Sequence, residues 1–207
     1  MATRRVRKSV ELSFEELINL PIGNSKRTFL AFGRAMAAWA RLERGFYSWF
    51  ERITGLESAQ ARPLYFSATG FNARVKLIRA ALEGVELPSN EEAFIKAAMK
   101  LANGYNPFRN KLAHGEFTFD GLIVEGKYAD RKRARDEAVS GTLMEKFAKI
   151  VDEIAGVLSQ ANYLVDFAPE DDDELRTIEQ CTKRLETIPK NFDPKDGSLE
   201  AAGAAAK

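Results

Sequence analysis

Histidine and cysteine are almost absent. The 207 residues contain one of each, His114 and Cys181. A single cysteine excludes an intrachain disulfide and a Cys-x-x-Cys redox centre, and one of each excludes a His/Cys zinc site built from one copy of the chain. The lone thiol points to a reducing compartment. No run of about 18 apolar residues occurs, so no transmembrane helix and no membrane partner are expected. The opening MATRRVRKSVELSF is basic with no apolar run behind it, and does not read as a secretory signal. An excess of one charge is also missing: 31 Lys+Arg against 30 Asp+Glu leave a formal charge of +1. That excludes a basic field over the whole surface and leaves local patches as the only grip on nucleic acid. The expectation is a soluble, cytoplasmic protein.

What is present is an ordinary globular balance, 45% hydrophobic and 29% charged, in a length that suits one domain with a tail. The apolar spacing is helical almost throughout. Phe29, Phe32, Met36, Trp39, Leu42, Phe46, Trp49 and Ile53 step by three or four, which predicts a long amphipathic helix from Ser25 to Thr54, ended by Gly55. A second helix is predicted over Pro63–Leu82, and a third from Ser89 or Asn90, with Glu91 and Glu92 in its first turn, to Gly104. Two β-prone runs flank Asp120-Gly121 and predict a hairpin, with Lys127-Tyr128 extending the second strand. Thr142-Leu-Met-Glu145 has capping-box spacing and opens a last long helix. Pro169 and the acidic run to Glu174 open a short helix through Leu185.

The fold class is therefore all-α, a bundle of about four long helices with one small β-hairpin insertion. Residues 1–24 read as an N-terminal arm and short helix, 25–167 as the bundle with the hairpin near 116–128, 168–187 as an accessory helix, and 188–207 as a flexible tail.

One segment carries chemistry, Asn106-Pro-Phe-Arg-Asn-Lys-Leu-Ala-His-Gly115. Asn106 suits an N-cap, Pro107 the first helical position and Gly115 a C-terminal stop, so a separate helix of two turns is predicted. Asn110 and His114, four apart, share a face. Arg109 and Lys111 would then lie in a first turn, where positive charge opposes the helix dipole. A local rule broken without compensation marks a place to look for function. An anion would resolve the conflict, since a helix N-terminus attracts phosphate and arginine offers a fork matched to its oxygens. An imidazole exchanges protons near neutral pH. Arginine, amide and histidine around one phosphate are the minimal equipment for cutting a phosphodiester without metal or other cofactor.

Arg109-Asn110-Lys111-Leu112-Ala113-His114 resembles the Arg-x4-6-His motif of the HEPN superfamily, with a polar residue directly after the arginine and Gly115 following. The resemblance covers six residues and implies a small helical bundle that dimerises so that two motifs face one cleft. It implies a metal-independent endoribonuclease leaving 2′,3′-cyclic phosphate ends, of a kind found in toxin–antitoxin and antiphage systems. An antitoxin or defence-system partner would accompany it. Arg109 would hold phosphate, His114 would transfer protons and Asn110 would orient one of them. An alternative within the same resemblance is an inactive dimerisation or partner-binding module.

Other residues carry two readings each. Lys111 is a candidate contact to RNA. Tyr105 either stacks on a base or packs against the bundle end. Arg74, Lys76 and Arg79, with Arg131, Lys132, Arg133 and Arg135, either guide an RNA backbone or form solvated faces; Arg74 is kept as a candidate substrate-binding residue. Glu43 reads as a solvated flank rather than a partner of Arg109. Trp39, Trp49, Phe32 and Phe46 read as core or dimer interface rather than a stacking platform. The Glu170–Glu174 run reads as the start of a helix rather than a metal site, and no metal is expected.

Overall fold

The computed structural model describes residues 23–118, 121–124, 137–167 and 172–192. Six helices carry them: α1 (Gly23–Thr54), α2 (Ser58–Ser67), α3 (Phe71–Glu83), α4 (Ser89–Ala113), α5 (Gly141–Phe167) and α6 (Asp172–Thr187). The all-α class holds.

The frame is α1 against α5. From α1 come Ala31, Ala35, Ala38, Trp39, Leu42, Phe46 and Trp49; from α5 come Met144, Phe147, Val151, Ile154, Leu158 and Ala161, all buried. The stripe differs from the expected one at its start. Phe29 is 53% exposed and alanines take the core positions. Small side chains let the two backbones approach, as at Gly45, where a Cβ would stand 3.2 Å from that of Leu158.

The single helix expected over 63–82 is two. Ala68 is extended and Gly70 adopts φ +82°, a region glycine enters without the Cβ penalty. The break lets Tyr65 and Phe71 both reach the core, while Leu64 and Phe66 face outward. Pro63 does not start α2; it lies inside a helix that opens a turn earlier at Ser58.

The largest departure is in α4. It does not stop at Gly104 but runs 25 residues through Gly104 and Pro107 to Ala113. Proline inside a helix removes one N–H···O bond and costs about 3 kcal/mol. Buried Ala102, Tyr105, Asn106, Phe108 and Leu112 hold the helix together across that defect.

Between α4 and α5, β1 (Glu116–Thr118) pairs antiparallel with β2 (Gly121–Val124), and β2 with β3 (Glu137–Val139). Thr118 is opposite Gly121, and the connecting residues 119 and 120 lie outside the described residues. So do the N-terminal arm to residue 22, the Lys127-Tyr128 extension, the basic run Arg131–Arg135, Pro169 with the start of the acidic run, and the tail from residue 193.

Ser140, not Thr142, caps α5: its Oγ accepts the Leu143 N–H at 3.2 Å. Ile178, Cys181 and Leu185 bury one face of α6, and Ile188 continues it. The chain from Ile188 to Phe192 does not hang free, as expected of a tail. It lies on α4, with the Phe192 ring 4.4 Å from Phe108 and 5.3 Å from Phe147, centroid to centroid.

Candidate functional site

Arg109, Asn110 and Lys111 lie on the last two turns of α4, and His114 is its C-cap. This is the C-terminal end of a long helix, not the start of a short one. Positive charge there complements the dipole instead of opposing it. The expected conflict does not exist, and the pull of helix N–H groups on a phosphate goes with it. Any phosphate held here must be neutralised by side chains alone, against the partial negative charge of the last carbonyls.

Asn106 is not a cap. It is 5% exposed, and its Nδ2 donates to Asn72 Oδ1 at 3.0 Å on the first turn of α3. A polar residue in the middle of an apolar stripe thus bolts two helices together one turn before Arg109.

Arg109 is half-buried. Its Nη1 donates to Asn110 Oδ1 at 3.1 Å, and its Cζ lies 5.9 Å from the Trp39 ring centroid. The amide and the ring together orient the guanidinium. Its Nε is buried without a hydrogen-bond partner. His114 is exposed and terminates the helix, its backbone N–H donating to the Asn110 carbonyl at 3.1 Å. One helix end therefore presents an oriented cation and an imidazole open to solvent.

Two candidates for substrate contact are placed elsewhere. Tyr105 is fully buried, its hydroxyl donating to the Pro189 carbonyl at 2.6 Å, and burial pushes its phenol up to about 12. It packs against the bundle end and has no face free for a base. Arg74 pairs with Glu43, Nη1 to Oε1 at 2.8 Å, with both side chains largely buried, and its guanidinium lies 5.0 Å from the Phe66 ring centroid and 5.6 Å from that of Tyr65. Its charge is neutralised within the protein, so it is not a free grip on phosphate. Glu43, correspondingly, is not a solvated flank and serves Arg74 rather than Arg109. Trp39 and Glu43 are one turn apart on α1, so Arg109 and Arg74 are anchored along the same stretch of that helix.

Trp39, Asn72 and Asn106 are the supporting residues that local reasoning missed. The one available signal was spacing: Ala102, Asn106 and Asn110 recur every four residues, as one continuous helix would have them. Among the described residues no group of three or more His, Cys, Asp or Glu side chains could hold a metal ion, and no helix is long and apolar enough to cross a membrane. No protein-family model, curated protein or solved structure matches the chain.

Proposed function

We propose that the chain is a metal-independent endoribonuclease of the HEPN type, acting in the cytoplasm as a homodimer with two Arg109–His114 motifs in one cleft. The observation that carries this reading is the Arg109 guanidinium, oriented by Asn110 and Trp39, and an exposed His114 at the same helix end. The 2′-hydroxyl oxygen of RNA would attack the adjacent phosphorus and the bond to the 5′-oxygen would break. A 2′,3′-cyclic phosphate and a 5′-hydroxyl result. His114 would take the proton of the 2′-hydroxyl or give one to the leaving 5′-oxygen. Arg109 would neutralise charge building on the phosphate, a large effect in a preorganised site. A toxin or antiphage role, with a cognate antitoxin or defence partner, follows from the same resemblance.

The partial burial of Arg109 on Trp39 favours a second reading, in which the bundle keeps this arrangement for architecture and serves as an inactive dimerisation or partner-binding module. Incubating the protein with RNA in EDTA separates the two. Cleavage that persists in EDTA and vanishes in His114→Ala and Arg109→Ala supports the enzyme. Cleavage that needs a divalent metal, or survives both substitutions, sinks the mechanism.

A further inference from the structure

The turn of α4 just before Arg109 contains a proline and is braced from outside. Pro107 has no N–H to give to the carbonyl four residues back, so the ladder loses a rung there. The last turns, carrying Arg109 and His114, are joined to the rest of α4 across that gap.

The segment Ile188–Phe192 lies on this turn. A Cβ on Gly104 would meet the Lys190 carbonyl oxygen at 2.0 Å, so strap backbone rests directly on helix backbone. Tyr105 donates its hydroxyl to the Pro189 carbonyl at 2.6 Å. Phe192 closes against Phe108, the residue before Arg109, with Tyr105 and Phe147 beside it. Alongside these contacts an open cavity of about 740 Å³ is lined by Lys100 and Leu101 of α4, Leu185 of α6, and Ile188 and Lys190 of the strap, among others. The strap is thus anchored by buried Ile188 at its start, by Gly104 and Tyr105 in its middle, and by Phe192 at its end.

We infer that Ile188–Phe192 is a positioning strap for the Arg109 site, with Phe192 and Tyr105 as positioning residues that hold the end of α4 across the Pro107 gap. This rests on the reading of that helix end as the place where RNA is cut. Misplacement of a reacting group by about 1 Å costs on the order of a hundredfold in rate, so a brace of this kind acts on turnover more than on affinity.

The test compares the full chain with Phe192→Ala, Phe192→Leu, Tyr105→Phe and a control, Leu82→Ala, in a core position near the opposite end of α4. Single-turnover cleavage, RNA affinity, melting temperature and amide hydrogen exchange over residues 105–113 are measured. Phe192→Ala should slow cleavage about tenfold or more at unchanged affinity, and speed exchange in that stretch. Phe192→Leu should restore both. Leu82→Ala should lower the melting temperature without either effect. Tyr105→Phe, which removes only the bond to Pro189, should show a smaller version and serves in place of Phe192→Ala if that variant does not fold. Wild-type cleavage in Phe192→Ala, or exchange over 105–113 no faster than in the control, overturns the strap. A wild-type protein that cuts no RNA overturns the ribonuclease reading instead, and exchange alone then decides the strap.

Discussion

Arg52 grips Glu91 with two nitrogens, Nε to Oε2 at 3.0 Å and Nη2 to Oε1 at 3.1 Å, and the Glu91 side chain is 5% exposed. Nη1 of the same arginine reaches Asp166 Oδ1 at 3.3 Å. One guanidinium therefore ties the end of α1 to the start of α4 and the end of α5. Removing one partner of a buried pair leaves an uncompensated charge and costs about 3–5 kcal/mol. Arg52→Ala should lower the urea midpoint accordingly, whereas Arg41→Ala, which breaks an exposed pair with Asp152, should cost less than about 1 kcal/mol.

Gly104 sets two effects against each other. Alanine is favoured over glycine inside a helix by about 1 kcal/mol. At this position its Cβ would collide with the Lys190 carbonyl, and backbone cannot turn aside as a flexible side chain can. Gly104→Ala should therefore destabilise the protein in chemical denaturation. A raised midpoint would mean that the strap does not lie there.

Alkaline pH should loosen the same contact. The folded protein holds the Tyr105 phenol at about 12, above its ordinary value of 10.0, because burial disfavours the phenolate. Between those values the unfolded chain has lost a proton that the folded one keeps. Stability tied to this group is thus complete below pH 10, and is lost as pH rises toward 12. Burial raises Tyr65 in the same direction. Tyr105→Phe should flatten the alkaline limb of a plot of melting temperature against pH; an unchanged limb would assign the effect elsewhere.

RNA affinity should depend on salt in proportion to few contacts. Each phosphate neutralised on a single strand contributes about −0.7 to the slope of log affinity against log salt. With Arg74 occupied by Glu43, the proposed ribonuclease reading puts the phosphate contact on Arg109. Arg109→Ala should reduce the slope by about 0.7, and Arg74→Ala should leave it unchanged while lowering stability.

The cap of α5 can be checked directly. Ser140→Ala should cost about 1 kcal/mol, and Thr142→Ala close to nothing, because it is the Ser140 hydroxyl that accepts the Leu143 N–H.

Part of this architecture is legible in the amino-acid sequence. The stripes of α1 and α5 reveal themselves by spacing, because each buried face repeats every 3.6 residues along one helix. The all-α class follows from them. The grouping of Arg109, Asn110 and His114 on one helix end is equally local, since four and five residues of helix separate them whichever way that helix begins. Asn106-Pro107 misled for the same reason. An asparagine followed by proline is the usual opening of a helix, and no nearby residue says otherwise.

Distant residues settle what that pair does. Asn72 on α3 takes up the Asn106 amide, and the strap braces the turn that Pro107 weakens, so packing overrides local preference and the helix continues. The direction of the dipole at Arg109, the burial of Tyr105 and the pairing of Arg74 with Glu43 follow from that same packing. Periodicity along the chain thus specifies the helices and brings the motif residues to one helix end. Whether that end is a start or a finish, and which cations remain open to a ligand, depends on contacts between residues far apart in the chain, whose energies no local propensity contains.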